Sequence, residues 1–108
     1  MEQNTLENIP KKKSYRGTIG GSQAGRNLDN ILNETCDPDL TRTVLKIITS
    51  FQKVIKGIKP IENVGLRNNV ANLLFQQFVE NINTHQFPTI IDTHLKNVLT
   101  TIKRSASF

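Results

Sequence analysis

The chain has 108 residues and a formal net charge of +5, with 14 Lys and Arg against 9 Asp and Glu. Its apolar fraction of 36% is low for a globular domain, which predicts one compact domain joined to a polar, poorly ordered segment. The single cysteine excludes an intramolecular disulfide, and the chain has no secretory h-region and no apolar run of membrane-spanning length. These features predict an intracellular protein, cytoplasmic or nuclear, whose basic character favours acidic partners.

Residues 1–22 are predicted to form a flexible basic tail. Glycines at 17, 20 and 21 raise the entropy cost of ordering this segment. Its positive charges are Lys11, Lys12, Lys13 and Arg16. Such a cluster is typical of a nuclear-import signal, and it is also compatible with a phosphate-contacting arm or a tail that only improves solubility.

A short helix is predicted over about residues 23–35, with Ser22 as its N-cap. Gly25 and three Asn residues give this segment poor helix propensity, so we expect it to form only when docked.

The segment 38–56 predicts the main helix of the domain. Asp37 suits the N-cap and Pro38 the first helical position, and we expect Gly57 and Pro60 to end the helix. At 100° per residue, its apolar side comprises Leu40, Val44, Ile48, Phe51 and Ile55.

A basic row is predicted on the opposite side of that helix. Its members are Arg42, Lys46, Lys53 and Lys56, and they span about 21 Å. Lys96 and Lys103 of the last helix would extend the row if the two helices align. The row could track phosphates by charge and shape, although any solvated helix can show such a face.

A further helix is predicted over 64–82, with Asn63 as a candidate N-cap. Its apolar residues cover an unusually wide arc of roughly 240° around the helix axis. One neighbouring helix cannot bury the whole of this arc. We therefore predict a partner interface formed by Phe75, Phe78, Val79 and Ile82. The residues expected to border this contact or face solvent are Asn69, Asn72 and Gln76.

The last helix is predicted over 89–103, where Thr89 and Asp92 resemble a capping box. Residues 105–108 are expected to fray. The fold class is therefore all-α, a small antiparallel bundle of three main helices and a short N-terminal helix within residues 23–104. An ordered part of this size has a marginal core, which favours association with a partner.

Reactive side chains are too scattered to predict an enzyme. His85 and His94 lack ligand spacing, and Cys36 lies beside two aspartates that oppose a reactive thiolate. We expect no metal, no cofactor and no small-molecule substrate.

The sequence supports two functions from different classes. The preferred one is a non-enzymatic protein–protein interaction module, a subunit of a homo- or hetero-oligomeric complex. The alternative is a nucleic-acid-binding accessory protein that uses the basic row. Attachment to a membrane is not expected.

Overall fold

The fold is known from a computed structural model that describes residue 19 and residues 21–106. These residues form four helices in chain order: α1 (Gln23–Thr35), α2 (Pro38–Ile58), α3 (Val64–His85) and α4 (Thr89–Arg104). The all-α fold class is confirmed, as is a short first helix followed by three longer ones. The predicted basic tail residues Lys11, Lys12, Lys13 and Arg16 lie outside the described residues.

Three of the helices have a side-chain N-cap at the residue that the sequence predicted. The Ser22 hydroxyl accepts a hydrogen bond from the Gly25 amide at 3.0 Å. Asp37 accepts from the first turn of α2, and Asn63 accepts from the Leu66 amide at 2.9 Å. Each cap satisfies an amide that has no partner within its own helix.

Two predicted helix ends and one predicted cap are wrong, since α2 continues to Ile58 instead of 56 and α3 continues to His85 instead of 82. Gly57 lies inside α2, which ends at Ile58, because half-buried Ile58 packs on the core and holds the last turn. That contact outweighs the roughly 1 kcal/mol that a helical glycine costs relative to alanine. The capping box is also absent, because Pro88 is the N-cap of α4 and no side chain bonds the first amides. Asp92 instead forms an ion pair with Lys96 at 3.0 Å.

The core is built around α4, which contacts each of the other three helices. Its buried residues follow helical spacing and are Ile91, Leu95, Val98 and Leu99. The main contact of α1 is with α4, and its Leu28 and Leu32 are buried in the same core. This packing explains why a segment with poor intrinsic propensity is helical.

Phe51 joins α2 to α3 at the centre of the bundle. Its side chain is fully buried, and its ring centroid lies 4.9 Å from that of Phe78 and 6.3 Å from that of Phe75. Both ring pairs are tilted, an arrangement that aromatic side chains prefer over face-to-face stacking.

Arg67 ties the start of α3 to the end of the chain. This side chain is buried, and its Nε donates to the Ala106 carbonyl at 2.6 Å while Nη1 donates to the Ile61 carbonyl at 2.8 Å. Ala106 is itself buried. The fraying expected for 105–108 therefore does not include Ser105 and Ala106, and residues 107–108 lie outside the described residues.

We expect Phe51→Ala to lower the free energy of unfolding by about 3–5 kcal/mol, because it leaves a cavity between α2 and α3. The control is Ile90→Ala, a large apolar side chain that is 53% exposed and should change stability by no more than about 0.5 kcal/mol. Urea unfolding followed by circular dichroism measures both variants. Equal destabilisation of the two would contradict this packing.

Candidate functional site

An apolar stripe lies on the side of α3 that faces away from the core. Leu66 and Leu73 are 53% and 60% exposed, and Val70 between them is half-buried. Spacings of four and three residues place these side chains within about 60° of one another around the helix. We call Leu66, Val70 and Leu73 the α3 stripe.

The predicted partner interface lies on the other side of α3. Phe75, Phe78 and Val79 are half-buried, and both phenylalanine rings pack against Phe51. Ile82 is fully buried in the core of the chain itself, so its assignment to an exposed interface is corrected. Contact of Phe75, Phe78 and Val79 with a partner stays a prediction, but the most exposed apolar surface of α3 is the α3 stripe.

Uncharged amides border the α3 stripe. Asn69, Asn72 and Gln76 are all exposed, as predicted for residues beside a contact or in solvent. The two ionic side chains of α3 are Arg67, which is buried, and Glu80, which lies nearer its C-terminal end. The N-terminal half of this surface is therefore apolar and amide-lined, with no exposed charge.

The basic row of α2 has one neutralised end. Arg42 Nη1 lies 2.9 Å from Asp39 Oδ1 in an exposed pair. Lys46, Lys53 and Lys56 are exposed and form no ion pair within residues 21–106. Lys59 directly after α2 is also exposed and adds a further positive charge beside Lys56 at the C-terminal end of α2.

Lys96 and Lys103 do not extend the basic row. Lys96 Nζ lies 2.7 Å from Asn83 Oδ1, and Lys103 Nζ lies 4.6 Å from the ring centroid of Phe75. Lys46, in contrast, lines a cavity of about 320 Å³ with residues of α2 and α3: Ile47, Ser50, Gln77, Phe78 and Asn81.

The positions along α3 show why these lysines are separated. Asn81 and Asn83 are two residues apart, which places them about 200° apart around the helix axis. Gln77, which lies beside Lys46, and Phe75, which lies beside Lys103, are also two residues and therefore about 200° apart. Lys46 therefore flanks one side of α3, while the two lysines of α4 flank the other.

A second, larger cavity of about 500 Å³ lies where the C-terminal parts of α2 and α4 meet the residues that precede α1. Lys56 and Lys59 line it together with Gln52, and Ile55, Val98 and Ile102 add apolar wall. This cavity joins elements that are distant in sequence, so no sequence pattern predicts it as a whole. The spacing of Gln52, Lys56 and Lys59 along α2 is a sequence signal that could have indicated its α2 wall.

The scattered reactive residues are not brought together. The exposed thiol of Cys36 donates to the Asn33 carbonyl, and His85 stacks on Phe87 with ring centroids 5.0 Å apart. His94 Nδ1 lies 2.9 Å from the Ile90 carbonyl of its own helix. Within the part of the chain that the structure describes, no group of three His, Cys, Asp or Glu side chains could hold a metal ion.

Comparison with family models, with curated proteins and with solved structures found no match to this chain. None of α1 to α4 has the length and apolar character that crossing a bilayer requires. The candidate sites therefore rest on the geometry of the described residues: the α3 stripe, the basic row and the larger cavity.

Proposed function

We propose that the protein is a small non-enzymatic interaction module that pairs with a second copy of itself through the α3 stripe. The observation that carries this proposal is the exposure of Leu66 and Leu73, which lie one heptad apart on the side of α3 away from the core. Apolar residues at spacings of four and three form the seam through which helices pack against one another.

The charge distribution makes the α3 stripe a better contact surface for a second copy than the other surfaces of the domain. Two chains that each carry a net charge of +5 repel one another, most strongly where exposed lysines of α2 would meet. The α3 stripe is bordered by Asn69, Asn72 and Gln76, whose amides can pair across a symmetric contact without bringing like charges together. Copies can thus approach through α3 with little repulsion.

The small size of the α3 stripe sets the expected strength of this association. Three apolar side chains per copy make a contact at the lower end of specific interfaces, so we expect a dimer that exchanges readily with the monomer. Such a dimer would cover apolar surface that a domain of this size leaves exposed.

The proposal includes an antiparallel arrangement of α2, α3 and α4. The connections between them are residues 59–63 and residues 86–88. Connections this short favour antiparallel neighbours in helical bundles.

We expect Leu66→Gln combined with Leu73→Gln to weaken dimerisation at least about tenfold, because the apolar contact is lost from both copies. The matched control is Val64→Gln with Ile90→Gln, which alters two side chains of similar exposure outside the α3 stripe. Sedimentation over a concentration series measures both variants. A wild-type chain that stays monomeric at every concentration would reject the proposal, as would equal weakening in the control.

A second candidate function is nucleic-acid binding through the basic row of α2. The observation that favours it is the exposure of Lys46, Lys53 and Lys56 without an ion pair in the described residues. These three side chains span about 15 Å along the helix, a distance that covers several phosphates of a duplex. Contacts of this kind would depend on charge and shape, not on base sequence.

We expect replacement of Lys46, Lys53 and Lys56 by Glu to abolish binding of a duplex in fluorescence anisotropy, with helicity retained. Wild-type affinity should fall with salt at a logarithmic slope of about −3, because three phosphate contacts release their counterions. The control replaces Lys11, Lys12 and Lys13 by Glu, which makes the same change in net charge in the N-terminal segment. Loss of binding only in this control would assign the contact to that segment and reject the basic row.

A further inference from the structure

The larger cavity has a charged side and an apolar side. Gln52, Lys56 and Lys59 follow one another at spacings of four and three residues, so they share one face at the C-terminal end of α2. All three side chains are exposed, and neither lysine forms an ion pair within the described part of the chain. Two positive charges therefore stand at the same edge of one cavity.

The apolar side of the cavity is formed by the core. Ile55 and Val98 are almost fully buried, and the half-buried Ile102 packs against them in the same cluster. Since Ile55 and Val98 have almost no exposed surface, the isoleucine surface open to a ligand comes mainly from the half-buried Ile102 and Ile19. A volume of about 500 Å³ lies within the ordinary range of about 300–1,000 Å³ for cavities that hold small organic molecules.

Two of the three hydroxyl groups that line this cavity are already used as donors by the protein, and the third, on Ser22, accepts from the Gly25 amide. Thr101 Oγ1 donates to the Asn97 carbonyl at 3.1 Å, and Ser105 Oγ donates to the Ile102 carbonyl at 2.7 Å. The side-chain donors left for a ligand are consequently the two ammonium groups, the amide of Gln52 and the hydroxyl of Ser22. This set suits an anionic group, because both charged donors are cationic and neither can accept a hydrogen bond.

We propose that this cavity binds a single-chain anionic amphiphile, with its acidic head between Lys56 and Lys59 and its apolar chain against Ile19 and Ile102, over the buried Ile55 and Val98. The charged edge alone would give weak binding, since exposed ion pairs contribute little. The apolar wall alone would accept neutral molecules as readily. The combination selects a ligand that has both parts, and it is independent of the α3 stripe.

The proposal is tested by titrating the full chain with octanoate, and with acetate and octan-1-ol as matched probes. Acetate has the head without the chain, and octan-1-ol has the chain without the charge. A protein of 12.2 kDa suits amide chemical-shift mapping by NMR. We expect saturable shifts with octanoate at Gln52, Lys56, Val98 and Thr101, and binding at least about tenfold weaker for either other probe.

A charge-matched pair of variants separates this cavity from general attraction to a basic chain. Lys56→Gln with Lys59→Gln should weaken octanoate binding about tenfold, because both charged donors are removed. Lys46→Gln with Lys53→Gln removes the same charge from the same helix outside this cavity and should leave the affinity within about twofold. All four positions are exposed, so both variants should keep the circular dichroism spectrum and thermal midpoint of the wild type.

Three outcomes would overturn the proposal: equal weakening in the two variants, octan-1-ol binding as tightly as octanoate, or shifts confined to Leu66 and Leu73 of the α3 stripe. None of them decides whether the chain dimerises, which is measured without added ligand.

Discussion

The buried stripe of α4 is the constraint on which the rest of the molecule depends. Ile91, Leu95, Val98 and Leu99 meet residues from all three other helices, so no pair of helices forms a complete core without them. The dependence is clearest for α1, whose glycine and asparagines oppose helix formation in isolation. Burial of Leu28 and Leu32 in the core shared with α4 supplies stability that local propensity does not. Helix α1 is thus a product of tertiary packing.

The orientation of α3 about its own axis follows from two contacts. Phe75 and Phe78 turn toward Phe51, and Arg67 reaches the carbonyls of Ile61 and Ala106. These contacts act near the middle and near the start of the helix, so together they fix which side of α3 faces inward. Since apolar residues cover most of its circumference, turning the phenylalanines inward leaves Leu66 and Leu73 outward. The exposed stripe is a direct consequence of core packing.

This geometry also explains how far the sequence could predict the structure. The caps at Ser22, Asp37 and Asn63 were predictable because they depend on residues within one turn of the helix start. Which side of a 240° apolar arc would be buried was not predictable, because helical periodicity cannot distinguish the Phe75 side from the Leu73 side. That choice depends on Phe51, which is distant in sequence from both.

The lysines show the same limit. Periodicity placed Lys96 and Lys103 away from the buried stripe of α4, and both have polar or aromatic neighbours there. It could not show that those neighbours belong to α3, or that α3 separates these lysines from Lys46. The larger cavity was beyond prediction for a similar reason. Its walls come from α2, α4 and the residues before α1, and their proximity is a property of the complete bundle.

Lys56 belongs to both the basic row and the larger cavity, and this shared membership couples the two proposed ligands. An anionic head held by Lys56 and Lys59 would neutralise the C-terminal end of the row, leaving Lys46 and Lys53 as the free charges of α2 toward phosphate. Binding of one anion must then weaken binding of the other, and by thermodynamic reciprocity the effect has the same size in both directions. The α3 stripe carries no charge, so we expect that anion binding at α2 does not change pairing of two copies through this stripe. A chain whose surfaces divide in this way could assemble through α3 while its contact with an anion is exchanged at α2.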